Sequence, residues 1–309
     1  MAQIYVVGHK NPDNDSIMAA YTFAHLKDMV DPNNEYIPCR LGPLPAEAEM
    51  IFKEYGIENP PRLIESVGEG DKVYLVDHNE MGQAVPGLEN AELVGVVDHH
   101  RIADVSTAGP IEFLNLPVGS TTSIITMLFE LNEIDIEPSI AACLVSALLT
   151  DTVIMKSPTC TPVDVDRIYK LCGILGVDPV EFGMKIFKSR GGDDSVSVED
   201  ICSRDSKEFN FGGRKVWVAQ YETVDLEGMR ERIPEVSAQV AKIQQEGGYD
   251  AALMLLTDII KEGSEFIGAG DLAFIEGAFN ISFENGSVWM PGVLSRKKQV
   301  AAVLVDYAG

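Results

Sequence analysis

Histidine is scarce in this chain, five in 309 residues, yet four of the five fall in three short segments that each follow an apolar, strand-like run. The segments are YVVGHKNPDNDS with His9, Asp13 and Asp15, YLVDHNE with Asp77 and His78, and GVVDHH with Asp98, His99 and His100. A further acid, Asp151, lies at the end of the apolar helical pattern IAACLVSALLTDT. Imidazoles mixed with carboxylates and no thiolate suit a divalent ion such as Mn²⁺, Co²⁺ or Mg²⁺ rather than a structural zinc. An aspartate near a helix C-terminus is unfavourable without compensation, and a bound cation supplies it. The ligand count suggests two ions, with Asp77 offering one oxygen to each. Two metals ~3.5 to 4 Å apart hold a water between them, lower its pKa toward neutrality and stabilise both the attacking and the leaving oxygens of an in-line displacement. Phosphoryl hydrolysis is the chemistry that fits.

The elements that must position these residues are read from periodicity. Apolar runs at Ile4 to Val7, Tyr36 to Cys39, Val73 to Val76 and Leu93 to Val97 lack in-out alternation, as strands buried on both faces do. Helix-spaced apolar residues mark Asp15 to Met29, Pro45 to Tyr55 and Thr121 to Leu131. The alternation predicts an α/β fold whose N-terminal domain is a doubly wound parallel sheet. In such a sheet the residues just past neighbouring strand ends meet in one crevice, so the three segments converge. Asp13 and Asp15 are expected in the loop before a helix, where both can face the site, and Pro12 favours that loop. The free N–H groups of the helix start add an anion-friendly environment.

The paired glycines and charges of SRGGDD, Ser189 to Asp194, are expected to link residues 1–188 to a smaller mixed-sheet α/β domain over 195–309. That domain should hold a strand at Val216 to Ala219, a helix from about Pro234 to Gln245, a strand at Ala251 to Leu256 and glycine-punctuated short strands from Phe266 onward. No repeat of 20 to 50 residues and no low-complexity tract is present, which excludes solenoids and tails.

Charge decides what else the site needs. With 24 Lys+Arg against 48 Asp+Glu the net charge is −24, a surface that repels nucleic acid. Four ligating aspartates balance two divalent ions, leaving little attraction for a polyanionic phosphate. The missing positive charge is expected from the second domain, from Arg296, Lys297 and Lys298 in VLSRKKQV and from Lys207 in RDSKEF, which places the active site between the two domains. Five widely spaced cysteines without a CxxC pair read as reduced core residues. The start MAQIYVVGHK lacks a signal peptide, and no apolar run approaches a membrane span, so a cytoplasmic location without membrane contact is expected. The bland alternatives are a packing role for His25, a helix cap at Ser120 to Thr122, and an orienting or packing role for His78 and Asp98.

GHKNPDNDS, LVDHNE, VDHH, LLTDT and SRKKQ, in this order and across almost the whole chain, resemble the family II inorganic pyrophosphatases of the DHH phosphoesterase superfamily. The resemblance implies hydrolysis of inorganic pyrophosphate to two orthophosphates. It implies that His9, Asp13 and Asp77 hold one metal, that Asp15, Asp77, His99 and Asp151 hold the other, and that His100, Lys207, Arg296 and Lys297 contact the substrate. Two Mn²⁺ or Co²⁺ ions per subunit, Mg²⁺ arriving with pyrophosphate, and a homodimer joined through the N-terminal domains are further implications. Some relatives carry regulatory modules inserted after a segment like RLGPL, and the stretch from Leu41 to Val73 has no room for them. The nearest alternative is another member of the superfamily, acting on polyphosphate or a nucleotide. A non-enzymatic metal store would have no use for the basic cluster.

Overall fold

The computed structural model describes residues 2–189, 196–203, 205–284 and 286–308, with only the backbone of Lys297 and Lys298. The chain forms two compact units, Met1–Arg190 and Gly191–Gly309. Apart from Ser189, the expected linker lies outside the described residues.

The first unit is built on six strands: β1 (Ala2–Val7), β2 (Asn34–Arg40), β3 (Arg62–Leu63), β4 (Lys72–Val76), β5 (Glu92–Asp98) and β6 (Glu112–Asn115). All pairings are parallel and the order is β3-β2-β1-β4-β5-β6. The order reverses between β1 and β4, the switch point at which doubly wound sheets bind ligands. Register does the rest: Val7 pairs with Leu75, so His9 and Asp77, each two residues further on, leave the sheet side by side. The β4 burial pattern is nearly continuous, as expected of an interior strand. β2, beside the short edge strand, is instead only partly buried at Ile37 and Pro38, one on each face, which departs from the sequence expectation.

Among the described residues six α-helices accompany this sheet: α1 (Asn14–Val30), α2 (Ala46–Glu54), α3 (Thr121–Leu131), α4 (Pro138–Asp151), α5 (Pro162–Leu175) and α6 (Pro179–Ser189). α4 is buried without interruption from Ile140 to Thr150. A helix apolar all round belongs inside a protein. Each of its fully buried leucines stabilises the unit by about 1.5–3 kcal/mol. This packing leaves Asp151, at its C-terminal end, half-buried beside the strand ends.

The second unit contains α7 (Val198–Ser203), β7 (Ser206–Phe211), β8 (Arg214–Thr223), α8 (Leu226–Glu231), α9 (Ile233–Gly247), β9 (Ala251–Asp258), β10 (Gly263–Gly270), α10 (Leu272–Phe279), β11 (Ser287–Pro291), a π-helical turn at Arg296–Ala301 and α11 (Ala302–Ala308). The sheet order is β11-β10-β9-β8-β7, with β8 and β9 parallel and the other pairs antiparallel. Residues alternate along β8: Trp217, Ala219 and Tyr221 join one apolar cluster with α7, α8 and α9, while Val216 and Val218 join another with α10 and α11. Gly212 and Gly213, both at positive φ, make the two-residue turn from β7 to β8 that such a tight hairpin requires. The stretch after Phe266, expected as short strands, includes the helix α10.

All five cysteines are free thiols, and Cys160 is only partly buried, so it is not the core residue expected. Among the described residues no helix is long and apolar enough to cross a membrane.

Candidate metal centre

The centre starts where β1 ends. Gly8 lies so close to the first turn of α1 that a Cβ there would sit 2.0 Å from Ser16 Oγ and 2.8 Å from the Ser16 carbonyl oxygen. His9 follows, with Nδ1 2.8 Å from the Lys10 carbonyl oxygen. A proton on Nδ1 serves that carbonyl and leaves Nε2 for the site. Nε2 lies 3.5 Å from Asp13 Oδ1 and 3.4 Å from Asp77 Oδ2. Asp13 is the N-cap of α1, its Oδ1 accepting the Ser16 N–H at 3.0 Å. The helix starts at Asn14, so Asp15 belongs to its first turn and not to the preceding loop as expected.

Asp15 is fully buried and rests on the N-terminus of α3. Its Oδ2 accepts the Thr121 N–H at 2.7 Å, and its Oδ1 accepts from Ser120 Oγ at 2.6 Å and from the Thr122 N–H at 3.2 Å. Ser120 caps the helix as expected, and the anion held at that helix end is Asp15. His99, just past β5, directs Nδ1 at the Val118 carbonyl oxygen (3.0 Å). Its Nε2 lies 3.4 Å from Asp77 Oδ1 and 3.9 Å from both Asp15 Oδ2 and Asp151 Oδ2.

Three trios of potential ligand atoms result: His9, Asp13 and Asp77; Asp15, His99 and Asp151; and Asp77, His99 and His100. Asp77 connects them, one oxygen toward each metal-facing histidine. Its backbone is left-handed, φ 64°, a conformation that aspartate tolerates better than most residues. Thr121 Oγ1 donates to Asp77 Oδ1 at 2.9 Å, while the buried Oδ2 accepts no hydrogen bond of good geometry among the described residues.

The electrostatics express a demand for cations. Burial and then the neighbouring Asp77 push Asp15 up to about 7. Asp151 is raised well above the usual carboxylate range by burial and then by Asp15. Against burial, which opposes charge, Asp13 and Asp77 raise His9 from 6.5 to about 11, and Asp77 and Asp15 raise His99 to about 10. Asp77 is held below the ordinary range, despite its burial, by His9 and His99. Protons here occupy the role that divalent ions would fill. The mixed nitrogen and oxygen donors, the sulfur-free surroundings and a buried Asp77 Oδ2 with no well-formed hydrogen bond fit Mn²⁺-type ions.

The remaining residues take other positions. Asp98, completely buried, is the last residue of β5. Its Oδ1 accepts the N–H groups of His99 (2.7 Å) and His100 (3.1 Å) and lies 2.9 Å from His100 Nδ1. That contact first, and Asp77 further away, raises the His100 pKa, although burial works against it. His78 turns Nδ1 to the Val76 carbonyl oxygen (2.9 Å), is buried and joins none of the trios. A cavity of about 160 Å³ opens beside His9, Asp77 and His100, and Arg101 lines it. His25 packs near the Phe129 ring.

In the second unit, Lys207 on β7 pairs in register with Val218 and is exposed. Arg296 Nη1 lies 3.4 Å from the Val218 carbonyl oxygen, and its Nη2 lies 2.7 Å from Asp205 Oδ1. Lys207 Nζ lies 5.7 Å from the centre of the Phe209 ring, no contact among the described residues brings it to Arg296, and the Lys297 side chain lies outside the described residues. Sequence reasoning missed Thr121 as a partner of Asp77 and Asn79 as a support of the DHH segment. Asn79 Nδ2 donates to Asp98 Oδ2 and to the Arg101 carbonyl oxygen. The signal for Thr121 was present in the Ser-Thr-Thr run that starts α3.

The chain matches the DHH family, N-terminal domain, over residues 3–148 and the DHHA2 domain over residues 184–307. It is 39% identical to the manganese-dependent inorganic pyrophosphatase of Bacillus subtilis, over 99% of both chains. It is 40% identical to the protein of the same name from Methanothrix thermoacetophila, over 96% of both. The crystal structure of a Methanococcus jannaschii protein assigned to the family II inorganic pyrophosphatases aligns over 99% of both chains with a TM-score of 0.60 and 36% identity. With both family domains matched, about 40% identity to these relatives over nearly its whole length and trios of potential metal ligands in its first unit, the chain belongs to the manganese-dependent, family II inorganic pyrophosphatases.

Proposed function

We propose that this chain hydrolyses inorganic pyrophosphate to two orthophosphates, using two divalent ions held by its first unit and a cationic clamp from its second. The observation that carries the reading is Asp77, one buried carboxylate shared between metal-capable trios. His9, Asp13 and Asp77 hold one ion, and Asp15, Asp77, His99 and Asp151 hold the other. Mn²⁺, named for the relatives, is the resident ion, Co²⁺ can replace it, and Mg²⁺ joins with the substrate. When bound, such a pair supplies acidity that makes water nucleophilic near neutral pH and offsets charge on the phosphate oxygens.

The chain's own groups do the rest. His100 commits Nδ1 to Asp98, which leaves Nε2 to bond a phosphate oxygen and to carry a proton there. Its raised pKa favours the donating form. Arg296 presents a planar fork to two phosphate oxygens, and Lys207 and Lys297 add point charges that stabilise the leaving phosphate. A homodimer through the first units and a cytoplasmic location belong to the same reading.

The test is orthophosphate release by chelator-treated protein reloaded with Mn²⁺, Mg²⁺ or Zn²⁺, on pyrophosphate beside tripolyphosphate and a phosphodiester. Rapid Mn²⁺-dependent release from pyrophosphate alone is expected. Comparable cleavage of the other substrates would move the function to another branch of the DHH superfamily. Tight Mn²⁺ binding with no release would remove the enzymatic role.

A further inference from the structure

The turn that carries Arg296 is held in place by side chains, and one residue, Gln220, bonds to peptide groups of both partners of the Arg296–Asp205 ion pair. Residues 292–295, between β11 and the π-helical turn, form neither helix nor strand. Their peptide groups are nonetheless paired. Ser264 Oγ donates to the Val293 carbonyl oxygen at 2.6 Å, and Gln299 Nε2 to that of Gly292 at 2.7 Å. Gln299 Oε1 accepts the N–H groups of Leu294 (2.8 Å) and Ser295 (3.0 Å).

Gln220 is the centre of this arrangement. It interrupts the apolar run of β8 and is only 7% exposed. Its Oε1 accepts the Arg296 N–H at 2.9 Å, and its Nε2 donates to the Leu294 carbonyl oxygen at 2.9 Å and to Thr257 Oγ1 at 3.0 Å. Its own peptide N–H donates to the Asp205 carbonyl oxygen at 2.9 Å. Asp205 Oδ1 in turn accepts from Arg296 Nη2 at 2.7 Å. Thr257, tied at 2.8 Å to Ser264 Oγ, fixes which way the amide is turned. An apolar residue of similar length would fill the same space, so packing alone does not account for an amide with both ends engaged.

We propose that Gln220 is a positioning residue for substrate binding: it sets where the Arg296 guanidinium stands and so the affinity for pyrophosphate, without touching substrate or metal. The inference rests on the reading of Arg296 as a phosphate ligand. Both are tested together on the Mn²⁺-loaded full chain, by steady-state kinetics with pyrophosphate, Mn²⁺ content and melting temperature. Gln220→Met keeps the length and removes both amide groups. KM is expected to rise roughly tenfold or more with a smaller change in kcat and unchanged Mn²⁺ content. Thr257→Val, which frees the amide to turn, should shift KM less and in the same direction.

Arg296→Ala separates the two ideas. If it raises KM while folded Gln220→Met stays within about twofold of the parent, the positioning role is wrong and the clamp stands. An unchanged KM in Arg296→Ala overturns the clamp and the inference with it. Parallel loss of Mn²⁺, kcat and melting temperature in Gln220→Met would make the residue merely structural and overturn the proposal. Should that variant fail to fold, an unchanged KM in Thr257→Val overturns it.

Discussion

The Oδ1 atom of Asp98 lies 2.9 Å from His100 Nδ1, and the same oxygen accepts the N–H groups of both His99 and His100. The second oxygen accepts from Asn79 Nδ2. All known partners of Asp98 are thus donors, and both of its oxygens are needed as acceptors.

Asparagine at this position sets an NH₂ group against a donor whichever way its amide is turned. Asp98→Asn should therefore lower kcat by ~10–100-fold, the usual range for a group that orients a metal-site histidine. Loss of the negative charge also lowers the His100 pKa. Because the protonated ring is the donor, the falling limb of the kcat–pH profile should move to lower pH. An unchanged profile would refute the assignment of His100.

Asp77→Asn keeps the shape and the tolerance for a left-handed backbone while removing the charge and one acceptor. Bound Mn²⁺, counted by elemental analysis after gel filtration, should fall from two ions per chain to at most one. Turnover should drop by at least ~10²–10³-fold, as when a transition-state electrostatic contact is removed. Two ions retained with full stoichiometry would show that Asp77 is not the shared ligand.

Proton counting gives the pH dependence of metal binding. In the metal-free protein His9 and His99, raised to about 11 and 10, are charged at neutral pH, yet both must be neutral to ligate. Mn²⁺ binding should release about two protons from these histidines, and affinity should rise with pH. Calorimetry in buffers of different ionisation enthalpy measures the release. The folded-state values lie above the unfolded 6.5, so the charged imidazoles stabilise the metal-free fold fully below about 6.5. That contribution is lost as pH rises through about 10 to 11.

Gly8→Ala forces a methyl group against Ser16, including its backbone carbonyl oxygen, and α1 must shift to admit it. A loss of about 1–3 kcal/mol in stability is expected from such overpacking. Mn²⁺ affinity should fall as well, since Asp13 and Asp15 ride on the displaced helix start. Urea melts and metal titration read the two effects, and a variant with parental values for both would contradict the close approach.

Much of the centre was legible because its residues follow strands buried on both faces, which leave long apolar runs in the sequence. β4 and β5 gave that signal, as did α3 with its Ser-Thr-Thr start. β3, with two residues, and β6, with four, are too short for a period to emerge. The α10 sequence LAFIEGAF is rich in aromatic and apolar residues without a clear polar face, so its helix resembles a strand region on paper. The placement of Asp15 on the end of α3 joins residues more than 100 positions apart and could not be read locally. Gln220 left a local trace, an amide inside an apolar strand, but its partners come from the far end of the chain.

All six proposed metal ligands lie between His9 and Asp151, inside the unit that ends at Arg190. Synthesis runs from the N-terminus at ~5–20 residues per second, so the ribosome finishes the ligand set roughly 8–30 s before it reaches Gly309. On the proposed reading, the half of the protein that holds manganese is thus made before the half that grips phosphate. A nascent chain can collect its ions while still unable to hold a substrate, which separates metal supply from turnover in time.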